Sequence, residues 1–381
     1  MATRAGYLQG AHYGHFSTIC ISLFIMKLLH VVGARPNFPK LAPVFRAGQQ
    51  RGVTQVIVHT GQHYDEVMSE GFFSSLGIPA PDHNLTVGSA SHAVQTARIM
   101  ERIEPVLIAE HPDWVVVYGD VNSTVAAALV AAKLGLRVAH VEAGLRSNDR
   151  TMPEEINRIV TDRLADLLLT PSLDANVTLR SEGVPDAQVV FVGNVMVDSL
   201  MYTLNREQLR ADASGQWPDD GSVLVTLHRP SNVDDEARLT GIVTALRELA
   251  TERTVVFPVH PRTQAKLQEY GLETGAIDMR APVAYEAMLR LMTRAQVVIT
   301  DSGGVQEETT ALGIPCLTLR PNTERPITVT EGTNRLVAAP ADLPDLVRSS
   351  VRRHSHRSPE GWDGQAGERV IHALEQHQRP V

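Results

Sequence analysis

The sequence predicts an α/β protein made of two doubly wound domains that face each other across a cleft. Short continuous apolar runs alternate with helix-like stretches, and such runs suit parallel strands that are covered on both faces. The same alternation restarts in the second half of the chain. The length of 381 residues is also more than one ordinary hydrophobic core holds, which again predicts two domains.

The strand-like runs divide into two groups along the chain. Those of the first half are 28–32, 56–59, 115–118 and 138–141, and the stretch 124–134 is helix-like. Those of the second half are 223–227, 254–259, 297–300 and 316–319, with a helix-like stretch at 235–252. The join is predicted near 193–199. We therefore expect a first domain over residues 26–194 and a second domain over residues 195–362.

Residues 1–25 lie ahead of the first predicted strand. The apolar run from Phe16 to Met26 is too short to cross a bilayer. No small-residue cleavage site follows Arg4 and this run, which argues against a signal peptide. We expect an amino-terminal extension that is disordered or results from an early start codon, and no function is assigned to it.

The composition is that of a soluble globular protein, with 43% hydrophobic and 20% charged residues. The net charge of −8 argues against a general nucleic-acid binder. Because Cys20 and Cys316 are the only cysteines, neither a disulfide framework nor a Cys-rich metal site can form. This cysteine usage is typical of a reducing cytosol and predicts a cytoplasmic protein. No His/Asp arrangement has the spacing of a metal site, so no metal is predicted.

Polar and charged residues repeatedly follow the predicted strands. In doubly wound sheets, ligands bind at the carboxyl ends of the strands. Seven strand ends carry such residues, at 33–37, 60–63, 119–120, 142, 228–229, 260 and 301–304. Because these ends come from both halves of the chain, they predict one binding site between the two domains.

The segment from His140 to Arg158 interleaves carboxylates with arginines, and Gly144 and Pro153 break it. A solvated helix face would carry its charges at helical spacing without such breaks. Directly after a buried strand, this pattern indicates a site that handles protons and an anion. The charged residues of the segment are Glu142, Arg146, Asp149, Arg150, Glu154, Glu155 and Arg158.

Asp120, Glu142 and Glu154 are the candidate acid/base groups of the first half. Crowded carboxylates raise one another's pKa, which suits proton transfer near neutral pH. Two of them also have structural interpretations. Asp120 could cap the helix that starts near 122–123, and Glu154 could be a first-turn residue that complements a helix dipole. Glu142 lies between a strand and Gly144 and has no such alternative.

The segment 300–308, TDSGGVQEE, is a strand, a glycine-rich turn and a predicted helix. Free N–H groups at Ser302, Gly303 and Gly304 would bind a diphosphate, and Glu308, one helical turn further, could hold ribose hydroxyls. The alternative is a plain strand-to-helix turn with Ser302 as the N-cap. The segment is neither a Walker loop nor a G-x-G-x-x-G fingerprint, which disfavours ATP and NAD.

Cationic and histidine side chains accompany these carboxylates and glycines. Arg35 at the first strand end and Lys40 nearby are candidate anion ligands, although Arg35 could simply point to solvent. His228 and Arg229 close a strand of the second domain, where His228 is either catalytic or structural. Arg325 lies in a polar loop, 323–326, which shapes the ligand pocket or is only a turn.

These motifs together resemble the non-hydrolysing UDP-N-acetylglucosamine 2-epimerase family. The resemblance covers about residues 26–375 and is carried by GARPNFPK, TGQHYDE, YGDVNST, HVEAGLR, PEEINR, TLHRPSNVDD, TDSGGVQEE and NTERPIT. It implies a GT-B fold, with two Rossmann-like domains and a carboxyl-terminal helix, here 363–381, that returns to the first domain. It also implies interconversion of UDP-N-acetylglucosamine and UDP-N-acetylmannosamine. In the family, UDP leaves by anti elimination to give 2-acetamidoglucal and then adds back, with no cofactor.

The resemblance also implies roles for particular residues. Asp120, Glu142 and Glu154 match the acid/base groups, and His228 matches a histidine near the diphosphate. The UDP-binding positions are matched by Arg35, Ser302, Gly303, Gly304 and Glu308, with Lys40 and Arg158 as further matches. Gln62, His63, Arg229 and His260 match the site at which a second UDP-N-acetylglucosamine activates many bacterial members.

The chain departs from the bacterial pattern at 64–65, Met288 and Ile327, which bears on activation and on the sugar rather than on the reaction class. Alternatives are a hydrolysing relative that releases N-acetylmannosamine and UDP, a GT-B glycosyltransferase, and a non-catalytic nucleotide-sugar binder. A modified sugar such as a diacetamido uronic acid also remains open. The expected partners are a UDP-sugar and a second copy of the chain in a homodimer, with neither nucleic acid nor membrane.

Overall fold

The computed structural model describes residues 26–62, 70–208, 221–352 and 358–377. Within these ranges the chain forms two parallel β-sheets, each flanked by helices. The predicted α/β class with two doubly wound sheets is confirmed. The predicted extension at 1–25 lies outside the described residues.

The seven-stranded sheet of the described residues is built from the first half of the chain. Its strands are β1 (Lys27–Val32), β2 (Thr54–His59), β3 (His83–Asn84), β4 (Trp114–Tyr118), β5 (Val138–Val141), β6 (Leu167–Thr170) and β7 (Val189–Phe191). They lie in the order β3-β2-β1-β4-β5-β6-β7. The order reverses between β1 and β4, and this switch point is where doubly wound sheets open a crevice for a ligand.

The six-stranded sheet of the described residues repeats this plan in the second half. Its strands are β8 (Val223–Thr226), β9 (Val255–Pro258), β10 (Asp278–Arg280), β11 (Val297–Thr300), β12 (Cys316–Thr318) and β13 (Asn334–Leu336), in the order β10-β9-β8-β11-β12-β13. Its switch point lies between β8 and β11. The strands that were predicted from apolar runs agree with those observed to within one or two residues at each end.

The helices connect the strands and cover both faces of the sheets. They are α1 (Phe38–Gln50), α2 (Glu70–Leu76), α3 (His92–Glu110), α4 (Asn122–Lys133), α5 (Pro153–Leu164), α6 (Leu173–Ser181), α7 (Val195–Gln208), α8 (Pro230–Val233), α9 (Glu236–Ala250), α10 (Pro261–Glu269), α11 (Tyr285–Arg294), α12 (Gly303–Leu312), α13 (Ile327–Thr330), α14 (Leu343–Ser349) and α15 (Ala366–Gln376). The helix-like stretches 124–134 and 235–252 correspond to α4 and α9.

Helix α15 packs on α1, so the end of the chain joins the core of the first sheet. The Asp198 carboxylate on α7 accepts the backbone N–H groups of Ala366 and Gly367, at 3.1 and 2.8 Å, and thereby caps α15. A Cβ atom on Gly367 would lie 2.6 Å from the Pro43 carbonyl oxygen, so the close approach of the two helices requires glycine here. α15 lies within the predicted range 363–381, of which residues 378–381 lie outside the described part.

The change from one sheet to the other takes place at the predicted join. Strand β7 ends at Phe191, and α7 starts at Val195 and leads to the second sheet. The domain limits 26–194 and 195–362 themselves stay a prediction. Because the carboxyl ends of the strands gather at one edge of each sheet, the loops that follow β1, β4, β5, β8 and β11 supply the site described next.

Candidate active site

A cavity of about 930 Å³ lies between the two sheets. Predicted site residues from both halves line it, namely Lys40, Asp120, Glu154 and Arg158 from the first, and His228, Arg229, Ser302, Gly303, Gly304 and Arg325 from the second. Four of the seven strand ends from which one site was predicted, 33–37, 119–120, 228–229 and 301–304, line this cavity, whereas those at 60–62, 142 and 260 do not. The size of the cavity suits a ligand as large as a nucleotide sugar.

Glu142 lies beside this cavity in an unusual backbone conformation. Its φ angle is +72°, a region that side-chain-bearing residues seldom adopt and that is found most often at functional sites. Its Oε2 atom is 2.6 Å from Lys40 Nζ, and its Oε1 atom is 3.3 Å from Arg325 Nη2. The side chain is 4% exposed. A cation therefore contacts each oxygen of the Glu142 carboxylate, one from each half of the chain.

Asp120 follows β4 directly and forms an ion pair with Arg158 on α5. Burial raises the pKa of Asp120, but the charges of Arg158 and Lys40 outweigh burial and lower this pKa overall. The raised pKa that was predicted for Asp120 from crowding among the carboxylates is therefore wrong, because cations surround it. The N-cap residue of α4 is Val121, so Asp120 is not the helix cap that the alternative interpretation required. The geometry instead presents Asp120 to the cavity as an ionised carboxylate.

Glu154 and Glu155 are neighbours on the first turn of α5 but differ in their surroundings. Glu154 lines the cavity and, among the described residues, has no ion-pair partner. Glu155 is buried and accepts hydrogen bonds from the backbone N–H groups of Ser147 and Asn148, both at 2.9 Å, and from Arg158 at 2.7 Å. Glu155 therefore holds the 147–148 loop, whereas Glu154 is free to meet a ligand.

The buried carboxylate of Asp301 contacts the His228 ring. The Nδ1 atom of this ring lies 3.0 Å from Asp301 Oδ1, and Asp301 also accepts the backbone N–H of Arg229 at 2.9 Å and the side-chain amide of Asn232 at 3.1 Å. Burial raises the pKa of Asp301, but the hydrogen bond and charge of His228 outweigh it and lower this pKa. This contact orients the imidazole toward the cavity, in the way that a carboxylate behind a histidine fixes its ring in many acid/base sites.

The amino terminus of α12 opens into the cavity. Ser302 occupies the N-cap position, yet its side chain makes no capping hydrogen bond, contrary to the alternative interpretation. A Cβ atom on Gly303 would lie 2.6 Å from Arg325 Nη1, whereas a Cβ atom on Gly304 would meet no atom within 4 Å. The Ser302 N–H is not free as predicted, because it donates a hydrogen bond of 3.0 Å to Thr300 Oγ1. The open space beside Gly304 still leaves room for an anion at the start of the helix. We call residues 302–304 the α12 amino terminus.

Arg325 joins the two halves of the site. Its Nε atom is 2.9 Å from Glu307, its Nη1 atom is 2.9 Å from Glu324, and its Nη2 atom reaches Glu142. Burial lowers the pKa of Arg325, but these three carboxylates, Glu307 first, outweigh it and raise this pKa. The guanidinium predicted to bind substrate is thus also an organiser of the surrounding glutamates.

Glu308 is buried beside the α12 amino terminus rather than in the cavity lining. Its Oε1 atom accepts a hydrogen bond of 2.7 Å from the Tyr285 hydroxyl group. Burial raises the pKa of Glu308 to about 7, against the opposing effect of this hydrogen bond. Glu308 is therefore a carboxyl group that titrates near neutral pH.

The predicted activator-site residues are more scattered. Arg229 lines the cavity, with its Nη2 atom 3.8 Å from Glu324, and burial followed by the charge of Arg320 lowers the pKa of Arg229. His260 caps α10, and its ring centre is 5.8 Å from that of His228. Gln62 is buried, and its carboxamide oxygen accepts a 2.8 Å hydrogen bond from Ser123. His63 and the side chain of Arg35 lie outside the described residues.

Sequence reasoning gave no role to Asp301, Glu307, Arg320 or Glu324. Asp301 carried a usable signal, because it follows a buried strand directly in the TDSGG motif. Arg320 and Glu324 form a buried ion pair of 2.8 Å, and Glu307 contacts both Arg325 and Asn194. Only the folded chain brings these partners together.

The described ranges contain no group of three or more His, Cys, Asp or Glu side chains arranged to hold a metal ion. None of the helices in these ranges has the length and apolar character that a membrane crossing needs.

A model of the UDP-N-acetylglucosamine 2-epimerase family matches residues 46–375. The chain belongs to this family. It is 42% identical over 365 residues to the UDP-N-acetylglucosamine 2-epimerase of Methanocaldococcus jannaschii, which covers 92% of this chain and 99% of that protein. It is also 46% identical over 324 residues to the UDP-2,3-diacetamido-2,3-dideoxy-D-glucuronate 2-epimerase of Pseudomonas aeruginosa, covering 84% of this chain and 90% of that protein.

The family has solved structures that resemble this one closely. The crystal structure of the M. jannaschii enzyme in complex with UDP-GlcNAc and UDP superposes with a TM-score of 0.81 at 40% identity, covering 92% of this chain and all of that one. The GT-B arrangement of two Rossmann-like sheets, which the sequence resemblance implied, is thereby confirmed. Membership in the family makes the chain an enzyme of the epimerase class.

Proposed function

We propose that this protein is a non-hydrolysing UDP-N-acetylglucosamine 2-epimerase, which interconverts UDP-N-acetylglucosamine and UDP-N-acetylmannosamine. The observation that carries the proposal is the composition of the cavity. Carboxylates of the first half face a helix amino terminus and a His–Asp pair of the second half across one space. Proton transfer at a sugar carbon and departure of a diphosphate need those two sets of groups together.

The α12 amino terminus is the proposed diphosphate site. Its N–H groups and the positive end of the helix dipole stabilise phosphate oxygens, and Arg229 and Arg320 supply cationic charge nearby. Glu308, five residues beyond Gly303, is the proposed ligand of the ribose hydroxyls. Arg35 belongs to the same proposed set from the opposite half of the chain.

Asp120, Glu142 and Glu154 are the proposed acid/base groups, and His228 is proposed to assist at the diphosphate. A base removes the C2 proton, the electrons of the C–H bond form the C1–C2 double bond, and the C1–O bond breaks toward UDP. UDP leaves with that electron pair, which the helix N–H groups and arginines stabilise. In the return step a proton reaches C2 from the other face, and a UDP oxygen attacks C1.

The ion pairs of Glu142 suggest how the base becomes available. In the structure Lys40 and Arg325 both contact this carboxylate. A diphosphate that enters the cavity competes for the same cations, because phosphate oxygens are strong acceptors of charge-assisted hydrogen bonds. We propose that the diphosphate draws Lys40 away from Glu142 Oε2 and frees this oxygen for the C2 proton, while Arg325 stays on Oε1.

A proton NMR time course with UDP-N-acetylglucosamine tests the reaction. Non-hydrolysing epimerisation predicts a UDP-sugar that persists in both epimeric forms. Release of free N-acetylmannosamine and UDP would instead establish the hydrolysing alternative. A UDP-sugar that stays unchanged until an acceptor is added, and is then consumed, would establish a glycosyltransferase.

The substrate sugar has a second candidate because of the relative from P. aeruginosa, whose name specifies a diacetamido glucuronate. The same time course with that UDP-sugar discriminates between the two. Faster epimerisation of the uronate, measured as kcat/KM, would replace UDP-N-acetylglucosamine as the physiological substrate without changing the reaction class.

Activation by a second UDP-N-acetylglucosamine remains a proposal at Gln62, His63, Arg229 and His260. It predicts that the rate from UDP-N-acetylmannosamine rises when a small amount of UDP-N-acetylglucosamine is added. Strictly hyperbolic kinetics in both directions, with no such rise, would contradict it.

We also propose a homodimer in the cytoplasm. Support for self-association comes from apolar side chains that remain exposed on two helices of the first half, Ile156 and Val160 on α5 and Leu173 and Val177 on α6. Residues four apart lie on one helix face, so each helix presents an apolar strip. Light scattering should give twice the chain mass of 41.6 kDa.

A further inference from the structure

Glu307 is a buried carboxylate at the centre of the site that none of the steps above uses. We propose that Glu307 is a positioning residue for the C2 proton transfer, because it fixes the Arg325 guanidinium against Glu142 and ties both to the junction between the two sheets at Asn194. This inference rests on the proposed epimerase function and adds a residue to it.

The contacts of Glu307 are few and specific. The residue is 2% exposed and lies on α12. Its Oε1 atom accepts a hydrogen bond of 2.9 Å from the Asn194 side-chain amide, and its Oε2 atom is 2.9 Å from Arg325 Nε. One carboxylate oxygen is therefore hydrogen-bonded and the other is ion-paired, and the two partners come from different parts of the chain.

Asn194 is a fixed anchor for this carboxylate. It is 1% exposed, and its own side-chain oxygen accepts the backbone N–H of Met196 at 2.9 Å, at the start of α7. The preceding Gly193 has a φ angle of +87°, and a Cβ atom there would lie 2.1 Å from the carbonyl oxygen of Gly361. The backbone at the junction is thus tightly packed, and it fixes the Asn194 amide that holds the Glu307 carboxylate.

The guanidinium of Arg325 is planar, so two fixed contacts determine the third. Glu307 holds the Nε atom and Glu324 holds the Nη1 atom. The remaining Nη2 atom then lies 3.3 Å from Glu142. Removing the Glu307 contact would leave Arg325 free to rotate, and the position of the cation on the proposed base would no longer be defined.

Helix α12 links this arrangement to the proposed diphosphate site. Glu307 lies one turn beyond Gly303, whose absent side chain leaves room for Arg325 Nη1. The same short helix therefore carries the N–H groups for the diphosphate and the carboxylate that positions Arg325. We infer that one helix aligns the proposed leaving-group site with the cation that contacts the proposed base.

Charge sharing gives Glu307 a second effect, on the proton affinity of the site. The charged groups around Glu307 and Glu142 are Lys40 on α1, Asp120 after β4, Glu308 on α12, and Glu324 and Arg325 in the loop before α13. Burial, followed by the opposing charge of Arg325 and the like charge of Glu142, leaves the pKa of Glu307 raised. A neutral residue at 307 removes a negative charge near Glu142 and leaves the positive charge of Arg325 less compensated there.

The test is Glu307→Gln, which keeps the size of the side chain and an oxygen for Asn194 but removes the negative charge. The readout is the rate of deuterium incorporation at C2 of UDP-N-acetylglucosamine as a function of pH. We expect the maximal rate to fall roughly tenfold to a hundredfold and the acid limb to move to lower pH by roughly one unit. The Kd for UDP should stay within about threefold of the wild-type value. An acid limb that stays in place or moves to higher pH would overturn the inference.

Two further variants separate positioning from folding. Glu307→Asp keeps the charge but is too short to reach Asn194 and Arg325 together, so its rate should fall while its acid limb stays within about 0.3 pH units of wild type. Asn194→Ala should behave in the same way. Glu110→Gln, which breaks an ion pair with Lys27 on the far side of the first sheet, is the matched control and should exchange at the wild-type rate. A wild-type rate in Glu307→Asp would also overturn the inference.

Failure of the inference and failure of the proposed function give different results. If the wild-type enzyme incorporates no deuterium at C2, the proposed function is wrong. If the wild type exchanges and both Glu307 variants, folded by circular dichroism, match it at every pH, the function stands and only the positioning role is wrong.

Discussion

Lys40 Nζ lies 2.6 Å from Glu142 Oε2 and thereby joins helix α1 to the loop that follows β5. Both side chains are largely buried, at 11% and 4% exposure. A buried ion pair is weak evidence for stability but strong evidence for a placed charge, because removing one partner leaves the other uncompensated. This pair and the φ angle of +72° at Glu142 together mark the carboxylate as the centre of the proposed chemistry.

A double-mutant cycle on this pair should reveal a large coupling energy. Lys40→Met, Glu142→Gln and the double variant are compared by the free energy of unfolding. Because both groups are withdrawn from water, we expect a coupling of about 1–3 kcal/mol. The control pair, Lys27 and Glu110, is 2.8 Å apart but 29% and 23% exposed, and should couple by about 0.2–1 kcal/mol. Equal coupling in the two cycles would contradict the buried character assigned to Lys40 and Glu142.

Asp301→Asn should reduce turnover without preventing folding. Asparagine has only one accepting oxygen, so it cannot keep the contacts with both His228 Nδ1 and the Arg229 N–H. The imidazole then loses its fixed orientation. We expect kcat to fall by roughly tenfold to a hundredfold, measured by NMR as the rate of interconversion of the two UDP-sugars. Asp234→Asn, which removes a surface partner of Arg262, is the matched control. Equal rates in the two variants would show that Asp301 does not orient His228.

Glu308 should make the stability of the protein depend on pH. Its pKa is about 7 in the folded chain, against the ordinary value of 4.5 in the unfolded chain, so the native state binds more protons between these values. Stability therefore falls as the pH rises from about 4.5 to about 7, and the loss is complete above that window. Glu308→Gln stays neutral, so it should be more stable than wild type by about 1–3 kcal/mol at pH 8 and equal to it at pH 4. Urea unfolding at both pH values measures this difference.

Glu269→Gln is the control for the Glu308 variant, because Glu269 is an exposed partner of Lys266. Its difference from wild type should be small at both pH values. A Glu308→Gln variant that is no more stable than wild type at pH 8 would mean that this carboxyl group is not held in a desolvated position.

Two glycine-to-alanine substitutions should act in opposite directions. A Cβ atom on Gly367 meets the Pro43 carbonyl oxygen at 2.6 Å, so Gly367→Ala should push α15 away from α1 and destabilise the protein by about 1–3 kcal/mol. A Cβ atom on Gly241 in α9 meets Pro340 only at 3.7 Å. Gly241→Ala should therefore be neutral or stabilising by up to about 1 kcal/mol. Thermal unfolding compares the two, and a stabilised Gly367→Ala variant would contradict the packing of α15.

Much of the fold is predictable from the chain because its central strands are continuous apolar runs. The runs at 28–32, 115–118 and 297–300 are strands whose two faces are covered, and their carboxyl ends meet at the cavity. Strands β3, β10 and β13 have two or three residues each and contain polar side chains, so apolar periodicity could not reveal them. Strand β6, with the sequence LLLT, is an apolar run of the same kind as the predicted ones, so its signal is present in the sequence.

The candidate site was predictable where chemistry follows a strand directly, as at Asp120, His228 and Ser302. It was not predictable where the contact joins distant residues. Glu307 meets Asn194, which is 113 positions away, and Arg325 meets Glu142, which is 183 positions away. Such pairs leave no local pattern, because their partners are decided by the way the two sheets pack. For the same reason the sequence predicted Arg325 in the pocket loop but not its contacts with three glutamates.

Glu142→Gln tests whether this carboxylate handles the C2 proton. The variant and the wild type are incubated with UDP-N-acetylglucosamine in deuterium oxide, and deuterium at C2 is followed by NMR. We expect rapid incorporation by the wild type and a loss of at least about a hundredfold in the variant, with UDP bound at a Kd within about threefold of wild type. Incorporation by the variant at the wild-type rate would show that Glu142 does not handle the C2 proton.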